Sequence, residues 1–146
     1  MKVVLQRVSR GSVSVSGVQI AEITRGLVVL LGVGPDDTRE VAQTLANKTA
    51  QLRIFPDNQG KMNLSLLDVG GSALVVPQFT LYANTSRGHR PSFTKAAPPE
   101  IARPLVAYFA SCLQDLGVLT EQGEFGAHML LEILNDGPVT ITIETE

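Results

Sequence analysis

The chain has 146 residues, 44% of them hydrophobic, which is close to the commonest size for one domain around one core. Its formal net charge of −2 argues against a broad electrostatic grip on nucleic acid, and so against DNA as a partner, while leaving room for a local basic patch. No apolar run reaches the ~18 residues of a membrane span, no signal-peptide pattern opens the chain, and a lone cysteine, Cys112, allows no internal disulfide, so the expectation is a single cytoplasmic domain over residues 1–146.

"KVVLQRVSRGSVSVSG" reads as two short strands around Gly11, with Val13 and Val15 alternating with serines as on a sheet with one wet face. Residues 18–23 and 27–33 continue the sheet, the second ("LVVLLGV") as a buried strand. Asp37 and Glu40 have capping-box spacing, with Asp in place of Ser or Thr. Val41, Leu45 and Leu52 then recur at helical spacing, which predicts a helix over about 38–54. "FPDNQGKMN" is a turn-rich connection. Residues 72–82 read as a strand, a break at Pro77, then extended chain. Residues 83–98 form a long polar loop, and such loops in compact domains are usually functional or disordered. Ile101, Leu105, Tyr108, Cys112 and Leu116 make the stripe of a second helix over about 99–116, stopped at Gly117. Pro104 either kinks that helix or marks where its regular part begins. Residues 124–134 and 138–144 read as two more strands, with Gly137-Pro138 at the mouth of the second, where proline cannot donate and glycine weakens a ladder. The sum is an α+β domain with a strongly curved or barrel-like β-sheet and two main helices.

Residue types alone leave the chemistry open. "VVPQFTLYA" fits an ordinary strand with Gln78 bonded at an edge, and "NDGPVT" fits an ordinary turn. A hydroxyl nucleophile needs a base within reach and a group to orient that base. The only histidines are His128, in strand-like "AHMLLEIL", and His89, in the basic stretch "RGHRPSFTK". The first reads as structural and the second as a solvent or phosphate contact. Cys112 lies on an apolar helix stripe and reads as core. No carboxylates pair convincingly, and so few histidines and cysteines make a metal site unexpected; no cofactor is implied. An enzyme with this inventory draws its rate from backbone donors, positioning and the substrate's own groups.

Six stretches in order along the chain resemble one family: "LQRVSRGSVSV", "GLVVLLGV", "RIFPDNQGKMN", "VVPQFTLYA", "RGHRPSF" and "LNDGPVT". The family is the D-aminoacyl-tRNA deacylases, formerly called D-tyrosyl-tRNA deacylases. The resemblance implies hydrolysis of the ester joining a D-amino acid to the terminal adenosine of tRNA. It also implies a homodimer in which each subunit lends a loop to its neighbour's site, with aminoacylated tRNA as the partner. That loop carries a Gly-cisPro dipeptide in the family, here matching Gly137 and Pro138. Its carbonyls would accept hydrogen bonds from the substrate's α-ammonium, leaving room for a D side chain and setting main chain against an L one. Glycine, having no side chain, would pass. Gln78, Phe79 and Thr80 match the catalytic stretch, with the Phe79 and Thr80 N–H groups receiving the oxyanion. Thr80 stays open between positioning the substrate, with the ribose 2′-OH orienting or activating water, and acting as covalent nucleophile. Arg87, Arg90 and Lys95 are candidates for tRNA phosphates, against the alternative of a solvated loop. Lys61 and Asn63 either line the pocket or serve a structural turn. Exposed β edges and residues 141–146 suggest dimerisation through a sheet. The chain departs from the family at Pro77, where many members have Ser, while Phe79 keeps the pattern of the stricter branch. Two rival readings are a noncatalytic aminoacyl-tRNA-binding module and a general small-ester hydrolase.

Overall fold

The computed structural model describes residues 1–145, so the last position of the 141–146 segment lies outside the described residues. One long strand organises everything else. β1 (Lys2–Val15) runs unbroken through Gly11, where two strands were expected. It crosses another strand very closely there: a Cβ on Gly11 would lie 2.7 Å from Val28 Cγ2. Glycine thus allows the approach without ending the strand. β2 (Val18–Ile23) and β3 (Gly26–Gly32) share one edge of β1, β3 beside its first half and β2 beside its second. β8 (Met129–Glu144) runs antiparallel along the whole of the other edge.

From β3 the sheet turns parallel, to β6 (Ser72–Pro77) and then β7 (Leu119–Gln122). Parallel neighbours need long crossovers. The first carries α1 (Arg39–Gln51), a small hairpin of β4 (Phe55–Pro56) and β5 (Met62–Leu64), and α2 (Leu66–Val69); the second carries α3 (Pro99–Asp115). β3 is covered on both faces, which is why its sequence is a continuous apolar run. The sheet curls until β2 packs against β6 and β7, giving the nearly closed, barrel-like form expected. Val8, Val13, Ile23, Val28, Leu74 and Val76 form one cluster, backed by Met129, Leu131 and Ile133. A larger cluster joins Val3, Leu5, Leu27 and Val75 to α1 and α3, which pack on each other. Among the described residues no helix is long and apolar enough to cross a membrane.

Several local expectations are corrected. α1 is capped by Thr38, whose hydroxyl accepts from the Val41 N–H at 3.3 Å, and not by Asp37. The Asp37 carboxylate instead accepts from the Met1 ammonium at 2.6 Å and the Gly34 N–H at 2.7 Å. A charged donor offers more than an exposed helix amide, so the adjacent threonine takes over the cap. α1 ends at Gln51 because Leu52 leaves the helical region (ψ 128°). α2 adds a third helix, fixed by a capping box of Ser65 and Asp68. α3 begins at Pro99 and continues through the exposed Pro104, so its regular part does not begin there. After Pro77 the chain forms a 3-10 turn, Phe79–Tyr82, and not extended chain.

On the outer face of β1, Arg10 lies between Glu22 (2.7 Å) and Glu132 (3.3 Å), and the buried Ser12 hydroxyl donates to Glu132 at 2.8 Å. The hydrogen bond from Arg10 holds the Glu22 carboxyl below its usual range, and those from Ser12 and then Arg10 do the same for Glu132. Carboxylates depressed in the folded state stabilise it above their unfolded value, about 4.3, and lose that contribution as pH falls through the folded one. Glu132→Gln is therefore expected to lower the urea midpoint at pH 6, with the difference from the parent narrowing progressively as pH falls below the unfolded value. A gap that does not change as pH falls would show that the ionised carboxylate is not what matters.

Candidate functional site

β6 leads into the candidate site. Gln78 ends the strand with its N–H donating to the Leu31 carbonyl at 2.8 Å. The chain then tightens into the 3-10 turn, whose first amides have no acceptor within the turn. Among the described residues, the Phe79 and Thr80 N–H groups find no acceptor elsewhere either. The Gln78 side-chain amide donates to the Thr80 hydroxyl oxygen, so Thr80 is held by a group that cannot take up its proton. The Phe79 ring is 57% exposed and meets Phe93 edge-on, centroids 5.2 Å apart.

That ring pair ties the polar loop to the site. Asn84 and Ser92 exchange backbone hydrogen bonds of 2.8 and 3.0 Å, closing residues 85–91 into a tight excursion. Arg87, His89 and Arg90 stand exposed on it, and Lys95 follows, also exposed. The Ala97 N–H then donates to the Val33 carbonyl at 2.9 Å and docks the loop on the end of β3. A cavity of about 610 Å³ opens beside the turn, its walls including Pro77, Gln78, Phe79, Phe93, Phe125, His128, Met129 and Leu131. His128 is exposed and lies just before β8, not within a strand as expected.

The other sequence-predicted segment, Gly137-Pro138, lies on β8, and β1 explains its form. Gln6 faces Thr140 and Val8 faces Asn135, so residues 136–139 all stand opposite Arg7. The expected pair of strands is thus one strand with a large bulge, and the bulge throws Gly137 and Pro138 out of the ladder to an exposed position. The peptide between them is cis. Arg7 fills the gap in the ladder. Only 9% exposed, it donates from Nε to the Asp136 carbonyl at 3.0 Å and from Nη1 to the Ile54 carbonyl at 2.8 Å. The Asp136 carboxylate is 3.8 Å from Nε. Gly137 has φ +132°, and a Cβ there would lie 3.1 Å from Arg7 Nη2 and 3.0 Å from Val139 Cγ2. Val139, buried, anchors the chain on the far side of the bulge.

Gln78, Phe79 and Thr80 come together with the basic loop, but Gly137 and Pro138 are not among the walls of the cavity in the same chain. Lys61 and Asn63 do not line it either. Asn63 accepts from Arg53, and Asp57 accepts from the Gln59 and Lys61 N–H groups at 2.8 and 3.0 Å, bonds that hold its carboxyl below the usual range. This is the geometry of a structural turn. Arg7, Phe125 and Met129 were missed from sequence. For Arg7 the signal was present: it shares the parity of Val3 and Leu5 on the buried side of β1.

A family model described as D-Tyr-tRNA(Tyr) deacylase matches residues 4–144. The chain belongs to that family. A D-aminoacyl-tRNA deacylase of Roseiflexus castenholzii is 59% identical over 145 residues, covering 99% of this chain and 92% of the relative. One of Deinococcus radiodurans is 53% identical over 144 residues, 99% of each. Membership in the D-Tyr-tRNA deacylase family makes the chain a hydrolase acting on aminoacyl-tRNA. A solved structure described as a c-Myc DNA Unwinding Element Binding Protein superposes with a TM-score of 0.94 at 41% identity, covering 100% of this chain and 99% of that one. A probable eukaryotic D-amino acid tRNA deacylase, 19% identical with a TM-score of 0.85 over 97% of both chains, shares the fold.

Proposed function

We propose that the chain hydrolyses the ester between a D-amino acid, or glycine, and the 3′-terminal adenosine of tRNA, and spares L-aminoacyl-tRNA. The observation that carries this reading is the pair of unpartnered amides, Phe79 and Thr80, beside an apolar, aromatic-walled cavity. An adenine ring suits that cavity. With the adenosine seated, water attacks the ester carbonyl carbon and the carbonyl oxygen becomes an oxyanion that the two amides receive. The C–O bond to the ribose then breaks, the ribose oxygen takes the proton that the attacking water gave up, and free amino acid and tRNA separate. Thr80 positions; its hydroxyl is engaged by an amide and not by a base. The terminal 2′-OH is the group left to orient the water.

Chiral selection belongs to Gly137 and Pro138 of a second copy. They project outward and lie outside their own chain's cavity, which supports a homodimer with sites completed across subunits. Selection by main chain grips the α-ammonium and sets backbone where an L side chain would go, so side-chain identity matters little. Arg87, Arg90 and Lys95 offer a light grip on acceptor-end phosphates. A duplex-DNA reading, prompted by the description of one structural neighbour, sits poorly with a net charge of −2.

Incubation with D-Tyr-tRNA and L-Tyr-tRNA tests the proposal: the first is cleared and the second spared. Protection of both would favour a noncatalytic binding module, and hydrolysis of D-tyrosine esters lacking any ribose would favour a general esterase. Thr80→Pro removes an amide donor and is expected to cost about 10²–10³ in kcat. Thr80→Ala keeps the amide and is expected to stay within about tenfold of the parent, with no acyl-enzyme in quenched single turnovers. A trapped acyl group on Thr80 in the parent would reinstate the covalent route.

A further inference from the structure

We infer that Arg103 binds a backbone phosphate at the 3′ end of the RNA, at the rim of the cavity; this rests on the reading that the cavity takes the terminal adenosine. Arg103 lies on α3 between Ala102, which lines the cavity, and the exposed Pro104. Its guanidinium carbon stands 4.7 Å from the centroid of the Phe125 ring, and Phe125 is itself a wall of the cavity. The side chain is exposed, and among the described residues no carboxylate comes within 4 Å of it, although Glu100 lies one turn earlier on α3 and Glu124 adjoins Phe125. The ring attracts the guanidinium and holds it beside the cavity wall, while the side chain stays exposed to solvent. A planar, pre-positioned fork of donors suits a phosphate.

The chemistry of the substrate supplies the match. An adenosine in an apolar cavity must pass its 5′ phosphate out through the mouth, because burying that charge unpaired is prohibitive. Arg103 is a cation held at that mouth by the cavity's own wall. It acts in binding, so its effect falls on KM and not on kcat.

The experiment compares 3′-O-D-tyrosyl-adenosine with its 5′-phosphorylated form on the parent, Arg103→Met and Arg103→Lys. The parent is expected to prefer the phosphorylated ester about five- to tenfold through KM, a charge-assisted contact discounted for exposure. Arg103→Met keeps an apolar stem on Phe125 and brings the ratio to about one, while Arg103→Lys retains part of it as a point charge. On D-Tyr-tRNA the log–log salt dependence of kcat/KM becomes shallower by about 0.7–0.9 in Arg103→Met, one phosphate fewer. Equal losses on both esters would mean that Arg103 only braces Phe125, and an unaltered salt slope would likewise overturn the inference. A parent inert toward D-Tyr-tRNA would instead sink the hydrolase reading on which it rests.

Discussion

Arg7→Ala is expected to lower stability by about 2–5 kcal/mol and to slow clearance of D-Tyr-tRNA about 10²-fold. The first effect follows from hydrogen-bond accounting. The guanidinium is the donor to the Asp136 and Ile54 carbonyls and is only 9% exposed. Removing it leaves two acceptors short, at about 1–3 kcal/mol each where water cannot replace it. The second effect follows from position. The bulge of residues 136–139 has a single partner residue on β1, and that residue is Arg7. Without it Gly137 and Pro138 lose the support that sets their outward reach, and a displacement of about 1 Å is enough to cost that factor. Arg7→Lys is expected to rescue stability better than activity, since an ammonium lacks the fork that spans both carbonyls. Urea midpoints and single-turnover rates check both claims. A folded Arg7→Ala protein with full activity and intact chiral preference would show that Arg7 does not position the bulge.

Gly137→Ala is the second large effect. At φ +132° an L residue is strained, and the added methyl meets Arg7 Nη2 and Val139 Cγ2 at once. Both neighbours are held, one by its carbonyl partners and the other by burial, so the segment itself has to shift. The expected cost is about 1–3 kcal/mol in stability and about 10² in D-Tyr-tRNA clearance. If Gly137 and Pro138 form the proposed filter, the D-over-L preference narrows as well, because that surface has moved. Rates on the two tRNAs, measured with a melting curve, separate a displaced filter from a protein that has failed to fold. Retained preference would place the selection elsewhere.

The barrel was legible because its strands carry apolar strand patterns, alternating in β1 and β8 and continuous in the doubly covered β3. Val3 and Leu5 in β1, the apolar run of β3, and Val139, Ile141 and Ile143 in β8 all point to a sheet with a covered face. What escaped depends on pairing between distant segments. β7 is a four-residue edge strand, "LTEQ", with little pattern of its own, and it exists because β6 lies beside it. The bulge in β8 read as a boundary because only its register against β1 shows one strand continuing on either side. α2 was readable from the Ser65 and Asp68 capping box, yet four residues give no periodicity to support it. In the site, Gln78, Phe79 and Thr80 and the Gly137-Pro138 dipeptide came from family resemblance, whereas Phe125, Met129 and Arg103 gain their meaning from packing around the cavity.

Subunit mixing tests the central claim, a main-chain filter set by one copy over the amides of another, most directly. Gly137→Ala and Thr80→Pro proteins, each nearly inactive alone, are unfolded together and refolded at equal concentration. Half of the dimers then carry both defects on separate chains, and one of their two sites pairs an intact turn with an intact bulge. The account predicts recovery to about a quarter of parent activity toward D-Tyr-tRNA. A mixture as inactive as its components, despite verified exchange, would contradict it.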